Sequence, residues 1–346
     1  MNALPPQRSS HPLAAFGLDM LARGAAHLRG DRPALGEAGP GAIGGASTYR
    51  DLDRLVVAFG ARAMDCGLEK GDRVLIVGAT RVGVVAAMLG ALSAGLEPVM
   101  APAHFPAGAL AFLAQSTGAR AIFTPTLYGG LEMETTMLEA AAHAPDVRLV
   151  GSLGPGGADG AIDFSPRALD LDAAERPLKH GELPRIGFVL KPGEKAPRAT
   201  FLTQNTLVSH ALDLVSALQL STGRTILSTL SPASVTGFVA GPVAALLAGA
   251  PLTLFGPFDA TGLEVLTERA TPGCLVAPGA AVEDFVAAGI CDGLDCLAVA
   301  SRAPAPPAPC PVVRIASDDE GRILVSVRKK LESAASPPHS AQTTAG

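Results

Sequence analysis

The sequence is poor in the residues that usually hold nucleic acids. It contains no tryptophan and only two tyrosines among 346 residues, whereas unstacked bases are commonly held on such aromatic rings. It also has no excess of positive charge, with 27 Lys and Arg against 32 Asp and Glu and a net charge of −5. Nucleic-acid binding usually requires a basic surface. The composition therefore predicts no nucleic-acid partner.

The cysteines offer neither a disulfide framework nor a common zinc motif. There are five of them, an odd number, and no two form a C-x-x-C pair. Zinc sites usually draw on closely spaced Cys and His ligands. We therefore expect no metal site. Free cysteines are typical of a reducing compartment, so we expect a cytoplasmic protein. The five residues are Cys66, Cys274, Cys291, Cys296 and Cys310.

The sequence also lacks a signal peptide and a convincing membrane span. Its first sixteen residues contain no apolar run of the length that a signal peptide needs. Residues 237–256 form an uncharged stretch that is long enough to cross a bilayer. Pro242 and Pro251 interrupt it, however, and prolines break a helix interior. We expect a buried helix followed by a strand, and no membrane span.

Short apolar runs alternate with helical patterns along most of the chain, in which 48% of the residues are hydrophobic. Residues 49–67 have apolar side chains at helical spacing, and the apolar run 74–77 follows them. Further helix–strand pairs follow over residues 80–102 and 105–125, and the pattern resumes after residue 185. This alternation predicts an α/β fold, with parallel strands joined by crossover helices.

The same pattern predicts the domain organisation. A loop-rich, polar segment over residues 150–182 divides the chain into two halves. We predict one large domain over residues 13–332, with two stacked βα subdomains at roughly 13–182 and 183–332. Residues 1–12 and 333–346 carry no such pattern, so we predict disordered tails there.

A series of short motifs runs in order through residues 48–124. It comprises Thr48–Tyr49 with Leu52, a glycine at Gly67, the run Gly71–Asp72–Arg73–Val74, the pair Ala94–Gly95, a proline at Pro98 or Pro102, and the run ALAFLAQSTGARAIFT. In order and spacing this series resembles the start of the adenylate-forming enzymes, the superfamily of acyl-CoA synthetases, adenylation domains and luciferases. The resemblance implies the fold of that family's large N-terminal domain, an AMP-dependent synthetase/ligase-like domain.

The segment FVLKPGEKAPRATFLTQNTL, residues 188–207, stands where the family has its phosphate-binding loop. The end of this segment matches the residues that follow the loop, but the loop's hydroxyls and most of its glycines are missing. Glycines allow backbone N–H groups to approach phosphate closely, and Pro192 removes one N–H. We favour a solvated basic turn here over a nucleotide site. The candidate residues of this degenerate loop are Lys191, Gly193, Lys195, Arg198 and Thr203.

The resemblance also implies an acyl pocket and a magnesium site. Residues 231–266 match the family's pocket segment, which puts Ser234 at the pocket position and Gly237 at the glycine that follows. Pro278 matches a later proline of the same pocket. The family's magnesium motif falls on residues 315–319, where its aromatic, glycine and threonine are gone. Asp319 is therefore only a weak candidate metal ligand.

These departures predict a protein that has kept the fold and lost adenylation. The resemblance implies that the family's small C-terminal domain, with its catalytic lysine, lies beyond the end of this chain. We therefore predict a truncated, degenerate pseudoenzyme with no catalytic residues, which binds an acyl or aryl ligand or a partner and needs no cofactor. One alternative is an AMP-dependent acid–CoA ligase or adenylating subunit completed by a separate polypeptide, using ATP, magnesium and CoA. A second is a structural subunit with an empty pocket.

The family's active-site cleft also predicts where a partner would bind. Residues 191–198 and 315–321 flank that cleft, and its apolar lining would be partly uncovered. Exposed apolar patches often mark interaction sites. We expect a homo-oligomer, or a complex with a partner enzyme, formed through this cleft face.

Overall fold

A computed structural model describes residues 16–42, 48–172, 182–269, 273–303 and 308–328. Its helices are α1 (Leu18–Arg29), α2 (Tyr49–Asp65), α3 (Val82–Ser93), α4 (Ala107–Thr117), α5 (Met133–Ala142), α6 (Gln204–Leu218), α7 (Val235–Phe238), α8 (Ala244–Ala248), α9 (Ala260–Arg269) and α10 (Val282–Ala287). Its strands are β1 (Leu35–Ala38), β2 (Arg73–Gly78), β3 (Glu97–Pro102), β4 (Ala119–Thr124), β5 (Leu127–Tyr128), β6 (Leu131–Glu132), β7 (Leu149–Ser152), β8 (Ile162–Asp163), β9 (Ile186–Val189), β10 (Ala199–Leu202), β11 (Ile226–Ser228), β12 (Leu252–Phe255), β13 (Cys274–Pro278), β14 (Cys296–Ala300), β15 (Val312–Ser317) and β16 (Ile323–Arg328). The predicted tails, residues 1–12 and 333–346, lie outside the described residues.

Most of the strands form two seven-stranded sheets. The first sheet has the order β10-β9-β3-β2-β4-β7-β8 and the second the order β1-β12-β11-β13-β14-β15-β16. All neighbours are parallel except β10 with β9 and β15 with β16, which are antiparallel edge pairs. The predicted α/β fold with parallel strands is confirmed. Strands β5 and β6 form a separate hairpin.

Successive side chains along a strand pack into different apolar cores, because they point to opposite faces of the sheet. In β2, Val74 and Ile76 join a large central core, whereas Leu75 and Val77 join a second core with α4 and α5. In β13, Val276 joins the central core and Leu275 a third core with α9 and α10. Helices α1, α2, α3, α6 and α8 contribute to the central core, between the two sheets. The result is five layers, in the order helix, sheet, helix, sheet, helix.

Helix α2 shows how local sequence fixes an element of the central layer. The Thr48 hydroxyl accepts a hydrogen bond from the Asp51 N–H, and the Asp51 carboxylate accepts one from the Thr48 N–H. This reciprocal pair satisfies two N–H groups that a helix start leaves free. After the helix, Gly67 has a φ of +87°, a conformation that glycine adopts without strain. The helix predicted over residues 49–67 is thus present, as Tyr49–Asp65.

The two sheets exchange strands across the predicted boundary between residues 182 and 183. Strand β1 comes from the first half of the chain but pairs with β12, Leu35 lying opposite Leu252. Strands β9 and β10 come from the second half but complete the first sheet. The predicted subdomain boundary therefore does not coincide with the division between the sheets. Each sheet contains strands from both halves of the chain.

The uncharged stretch 237–256 is buried protein interior. It contains the end of α7, a π-helical segment over Val239–Val243 that includes Pro242, helix α8 and strand β12. Side chains such as Phe238 and Val243 have no exposed surface, so the predicted buried helix and strand are confirmed. None of the helices in the described ranges is long and apolar enough to cross a bilayer.

Candidate functional site

A cavity near the predicted site residues has a volume of about 570 Å³. It lies between the two sheets, at the end of the molecule where the parallel strands β2, β3, β9 and β15 finish. Gly78 is the last residue of β2, Ser317 is the last residue of β15, and both line the cavity. Ligands of open α/β sheets commonly bind beyond the carboxyl ends of the strands. We therefore call this space the inter-sheet cavity.

The two sheets come together at one side of the inter-sheet cavity. A Cβ atom on Gly78 would collide with Ala233, which follows β11 in the chain. Glycine is thus required where the first sheet meets the loop between β11 and α7. This close approach brings residues of both sheets around the same space.

The β11–α7 loop supplies the predicted pocket residue Ser234, which lines the cavity. Its hydroxyl donates to the Ser231 carbonyl at 3.0 Å and accepts from the Gly237 N–H at 3.0 Å. The hydroxyl of Ser234 is therefore engaged in capping α7. Gly237 is buried behind it, where a Cβ atom would collide with the Ser231 carbonyl. Pro278, at the end of β13, pairs with Ala300 and does not line the cavity.

Several lining residues were not singled out from the sequence. They are His104 from the segment after β3, Tyr128 from the β5–β6 hairpin, Thr236 from α7 and Ser317 from β15. They come from distant parts of the chain, so no sequence motif joins them. Position relative to a strand end is the one usable signal in the sequence, since Ser317 ends β15 and His104 lies just beyond β3.

The polar groups of the lining differ in how they are engaged. The Tyr128 hydroxyl lies 2.7 Å from the Thr80 hydroxyl, and the Ser231 hydroxyl oxygen accepts from the Ala233 N–H at 3.1 Å. Within the described part of the chain, the side chains of His104, Thr236 and Ser317 have no hydrogen-bond partner. Those three side chains, with the Ser231 hydroxyl proton, remain for contacts with a ligand.

The predicted phosphate-loop residues lie outside the cavity wall. Lys191, Gly193, Lys195 and Arg198 are exposed on the segment between β9 and β10, and none of them lines the cavity. A Cβ atom on Gly193 would meet nothing within 4 Å, so no neighbouring protein group requires a glycine at this position. Thr203 caps α6 instead, since its hydroxyl accepts from the Thr206 N–H at 3.2 Å.

Lys191 is paired with the predicted metal ligand. Its Nζ lies 3.1 Å from Asp319 Oδ2, and Arg302 Nη2 lies 3.1 Å from Asp319 Oδ1. The hydrogen bond from Lys191, followed by that from Arg302, lowers the pKa of the Asp319 carboxyl. Asp319 is therefore held by two cations in this structure. No group of three or more His, Cys, Asp or Glu residues in the described ranges could hold a metal ion.

Comparison with known proteins assigns this architecture. Residues 22–177 match the family of AMP-binding enzymes, and a search of curated proteins gave no match. Among solved structures, acetoacetyl-CoA synthetase from Streptomyces lividans has a TM-score of 0.73 at 21% identity, over 88% of this chain and 52% of that one. The acyl-CoA synthetase of Brucella canis has a TM-score of 0.73 at 18% identity, over 92% and 60% of the two chains.

A structure of one domain also matches, the N-terminal domain of FACL13 from Mycobacterium tuberculosis, with a TM-score of 0.70 at 18% identity over 86% of this chain and 75% of that one. The chain spans about half the length of the acetoacetyl-CoA synthetase. At these identities the likeness concerns the fold alone. Residues 22–177 thus match the family of AMP-binding enzymes, and the described chain shares its fold with these acyl-CoA synthetase structures and with the N-terminal domain of FACL13.

Proposed function

We propose that this chain binds an acyl or aryl ligand in the inter-sheet cavity and does not form an acyl-adenylate by itself. The observation that carries the proposal is the lining of the cavity, which holds no Lys, Arg, Asp or Glu among the described residues. Apolar, hydroxyl-bearing and imidazole side chains line it, while Lys191, between the lining residues Leu190 and Pro192, does not and is paired with Asp319.

The size and lining of the cavity support ligand binding. A volume of about 570 Å³ lies within the range of small-molecule sites, which are mostly apolar with a few polar groups that fix orientation. Val189, Leu190 and Val235 supply apolar surface, and Thr236 and Ser317 supply hydroxyls. Each methylene of a ligand buried against such a wall contributes about 0.8 kcal/mol.

The residues at the predicted phosphate loop do not fit a nucleoside triphosphate. Phosphate sites aim several backbone N–H groups at the oxygens from a closely approaching loop. Here the segment carries Pro192, which has no N–H, and Gly193 in open surroundings. Lys191 already neutralises Asp319. No adenylation step can be assigned to these side chains, and this supports a binding module over a catalyst.

Partner binding belongs to the same proposal. The cleft-face segments meet through the ion pair of Lys191 with Asp319, and Leu131 at the cavity is 55% exposed. Self-association or docking on an active enzyme through this face stays a prediction. A role in regulating an active enzyme would require docking through this face.

The proposal is tested by measuring ligand binding and adenylation separately. We would screen the purified chain by thermal shift with acyl and aryl compounds, each offered both as the acid and as the amide. We expect at least one compound to raise the melting temperature, and ATP–pyrophosphate exchange with every acid to stay at background. Exchange by the isolated chain would refute the non-catalytic assignment, and exchange that needs an added protein would favour the ligase completed by a second polypeptide.

A matched pair of variants locates the binding. Leu190→Trp places a large side chain in the cavity wall, whereas Leu324→Trp changes an exposed residue of β16. We expect the first variant to lose ligand binding and the second to keep it, with both unfolding cooperatively. Loss of binding in both, or in neither, would place the ligand elsewhere.

A further inference from the structure

The described lining of the inter-sheet cavity holds no carboxylate, ammonium or guanidinium group, and His104 supplies its imidazole. Among the sixteen residues that line it in the described part of the chain, none is Asp, Glu, Lys or Arg. Resting on the proposed function, we infer that this cavity selects ligands whose polar end is electrically neutral, a carboxamide or ester, over the corresponding carboxylate. The ligand class is therefore a neutral acyl or aryl derivative rather than a free acid.

Two cations beside lining residues interact with protein groups. Lys191 stands between the lining residues Leu190 and Pro192 in the chain, and its ammonium pairs with Asp319. Arg81 lies behind Tyr128, with its guanidinium carbon 5.4 Å from the ring centroid. Its N–H groups donate to the carbonyls of Gly256 and Pro40. Both cations thus interact with protein groups in this structure, and neither of them lines the cavity.

A carboxylate placed here would lose water without gaining an opposite charge. Transfer of an unpaired ion from water into an apolar site is far more costly than transfer of a neutral polar group that keeps its hydrogen bonds. A carboxamide presents one carbonyl acceptor and two N–H donors. A hydroxyl both donates and accepts, so Thr236 and Ser317 can satisfy either end of an amide.

The available hydroxyls favour the same class. Thr236 and Ser317 have no partner in the described ranges, and the Ser231 hydroxyl keeps a proton to donate because its oxygen accepts from the Ala233 N–H. These groups all come from the side of the second sheet, Ser231 and Thr236 in the β11–α7 region and Ser317 at the end of β15. A neutral carbonyl ligand can therefore be held by hydroxyls on that side of the cavity.

The test compares isosteric ligands that differ in charge. Isothermal titration of the full chain would use octanamide against octanoate, and benzamide against benzoate, at pH 8, where ordinary imidazole side chains are neutral. We expect the amide of at least one pair to bind at least tenfold more tightly than its acid. An acid that binds as tightly as its amide, or more tightly, would overturn this inference and leave the proposed acyl or aryl binding intact. Absence of binding by all four compounds would overturn both.

Two variant pairs separate the hydroxyl and the charge contributions. Ser317→Ala removes a lining hydroxyl, and Ser216→Ala removes an exposed one on α6. We expect the first to weaken amide binding about fivefold, in line with loss of a hydrogen bond, and the second to leave it unchanged.

Leu190→Arg adds a cation to the wall, and Leu324→Arg adds one to the outer surface of β16. Only Leu190→Arg should shift the preference toward the acid, and an unchanged preference in a folded Leu190→Arg protein would contradict the inference.

Discussion

Lys191 Nζ lies 3.1 Å from Asp319 Oδ2, and this ion pair joins the segment after β9 to the turn between β15 and β16. Each sheet contributes one partner, so the contact bridges the two sheets beside the inter-sheet cavity. The same contact ties the residue that stands in the predicted phosphate loop to the residue that stands in the predicted magnesium motif. Several measurements follow from this arrangement and from the packing around it.

The Asp319 carboxyl should titrate below its ordinary range. Lys191 first, and then Arg302, lowers its pKa, so its contribution to stability is present above the pKa of the unfolded state and is lost as the pH falls through the folded value. Carboxyl-carbon NMR titration of the Lys191→Met variant should show the pKa of Asp319 moving up. Lys195→Met, which removes a nearby exposed lysine outside this pair, should leave it in place. An equal effect of both variants would show that Lys191 has no special role.

Millimolar ATP with magnesium should change the melting temperature little. The candidate cations are exposed, and Lys191 is paired with Asp319, so a nucleotide would gain only contacts of the kind that surface ion pairs make. Differential scanning fluorimetry with and without the nucleotide measures this directly. A rise of many degrees that disappears in the Lys191→Ala, Arg198→Ala double variant would show that the segment binds phosphate after all.

Close packing of α2 against α3 depends on Gly90. A Cβ atom there would lie 2.7 Å from Phe59 Cδ1 and 2.9 Å from the Val56 carbonyl oxygen. Gly90→Ala should therefore lower the free energy of unfolding by about 1–3 kcal/mol, the usual cost of overpacking. Gly108→Ala in α4, where a Cβ atom meets nothing within 4 Å, should raise it by roughly 0.5 kcal/mol. Urea unfolding of the two variants measures both, and a stable Gly90→Ala protein would contradict the helix contact.

Tyr49 should make stability fall at alkaline pH. Burial raises the pKa of its phenol to about 12, and its hydroxyl donates to the Ala245 and Ala250 carbonyls. Because the folded pKa is raised, the contribution is complete below pH 10 and is lost as the pH rises toward 12, by up to about 3 kcal/mol. Denaturant titrations across that range should show a smaller loss for Tyr49→Phe.

Sequence patterns predicted the parts of the fold that local rules determine. Thr48 and Asp51 start a helix through their own side chains, and the run Arg73–Gly78 is a strand because its neighbours on both faces are apolar. Helix α5 and strand β14 were not predicted, and the loop-rich segment 150–182 contains strand β8. The pairing of β1 with β12 could not be predicted, since it joins segments far apart in the chain.

The candidate site, like the fold, was predicted from the sequence only in part. A matched segment located Ser234 at the cavity, but the pairing of Lys191 with Asp319 depends on how a loop of one sheet meets a turn of the other. The lining residues Tyr128, Thr236 and Ser317 come from three separate elements. Their proximity follows from sheet order, which no short motif encodes.

Strand β1 has a consequence for the order in which the chain is made. Leu35–Ala38 emerges early in synthesis, yet its only strand neighbour in the described sheets is Leu252–Phe255, which emerges much later. Until then a nascent chain presents an unpaired strand, and unpaired strands are prone to pair with other chains. The second half of the chain must therefore be translated before β1 can pair. If the protein is divided at residue 182, each fragment alone should aggregate, and the fold should be recovered only when the two fragments are refolded together.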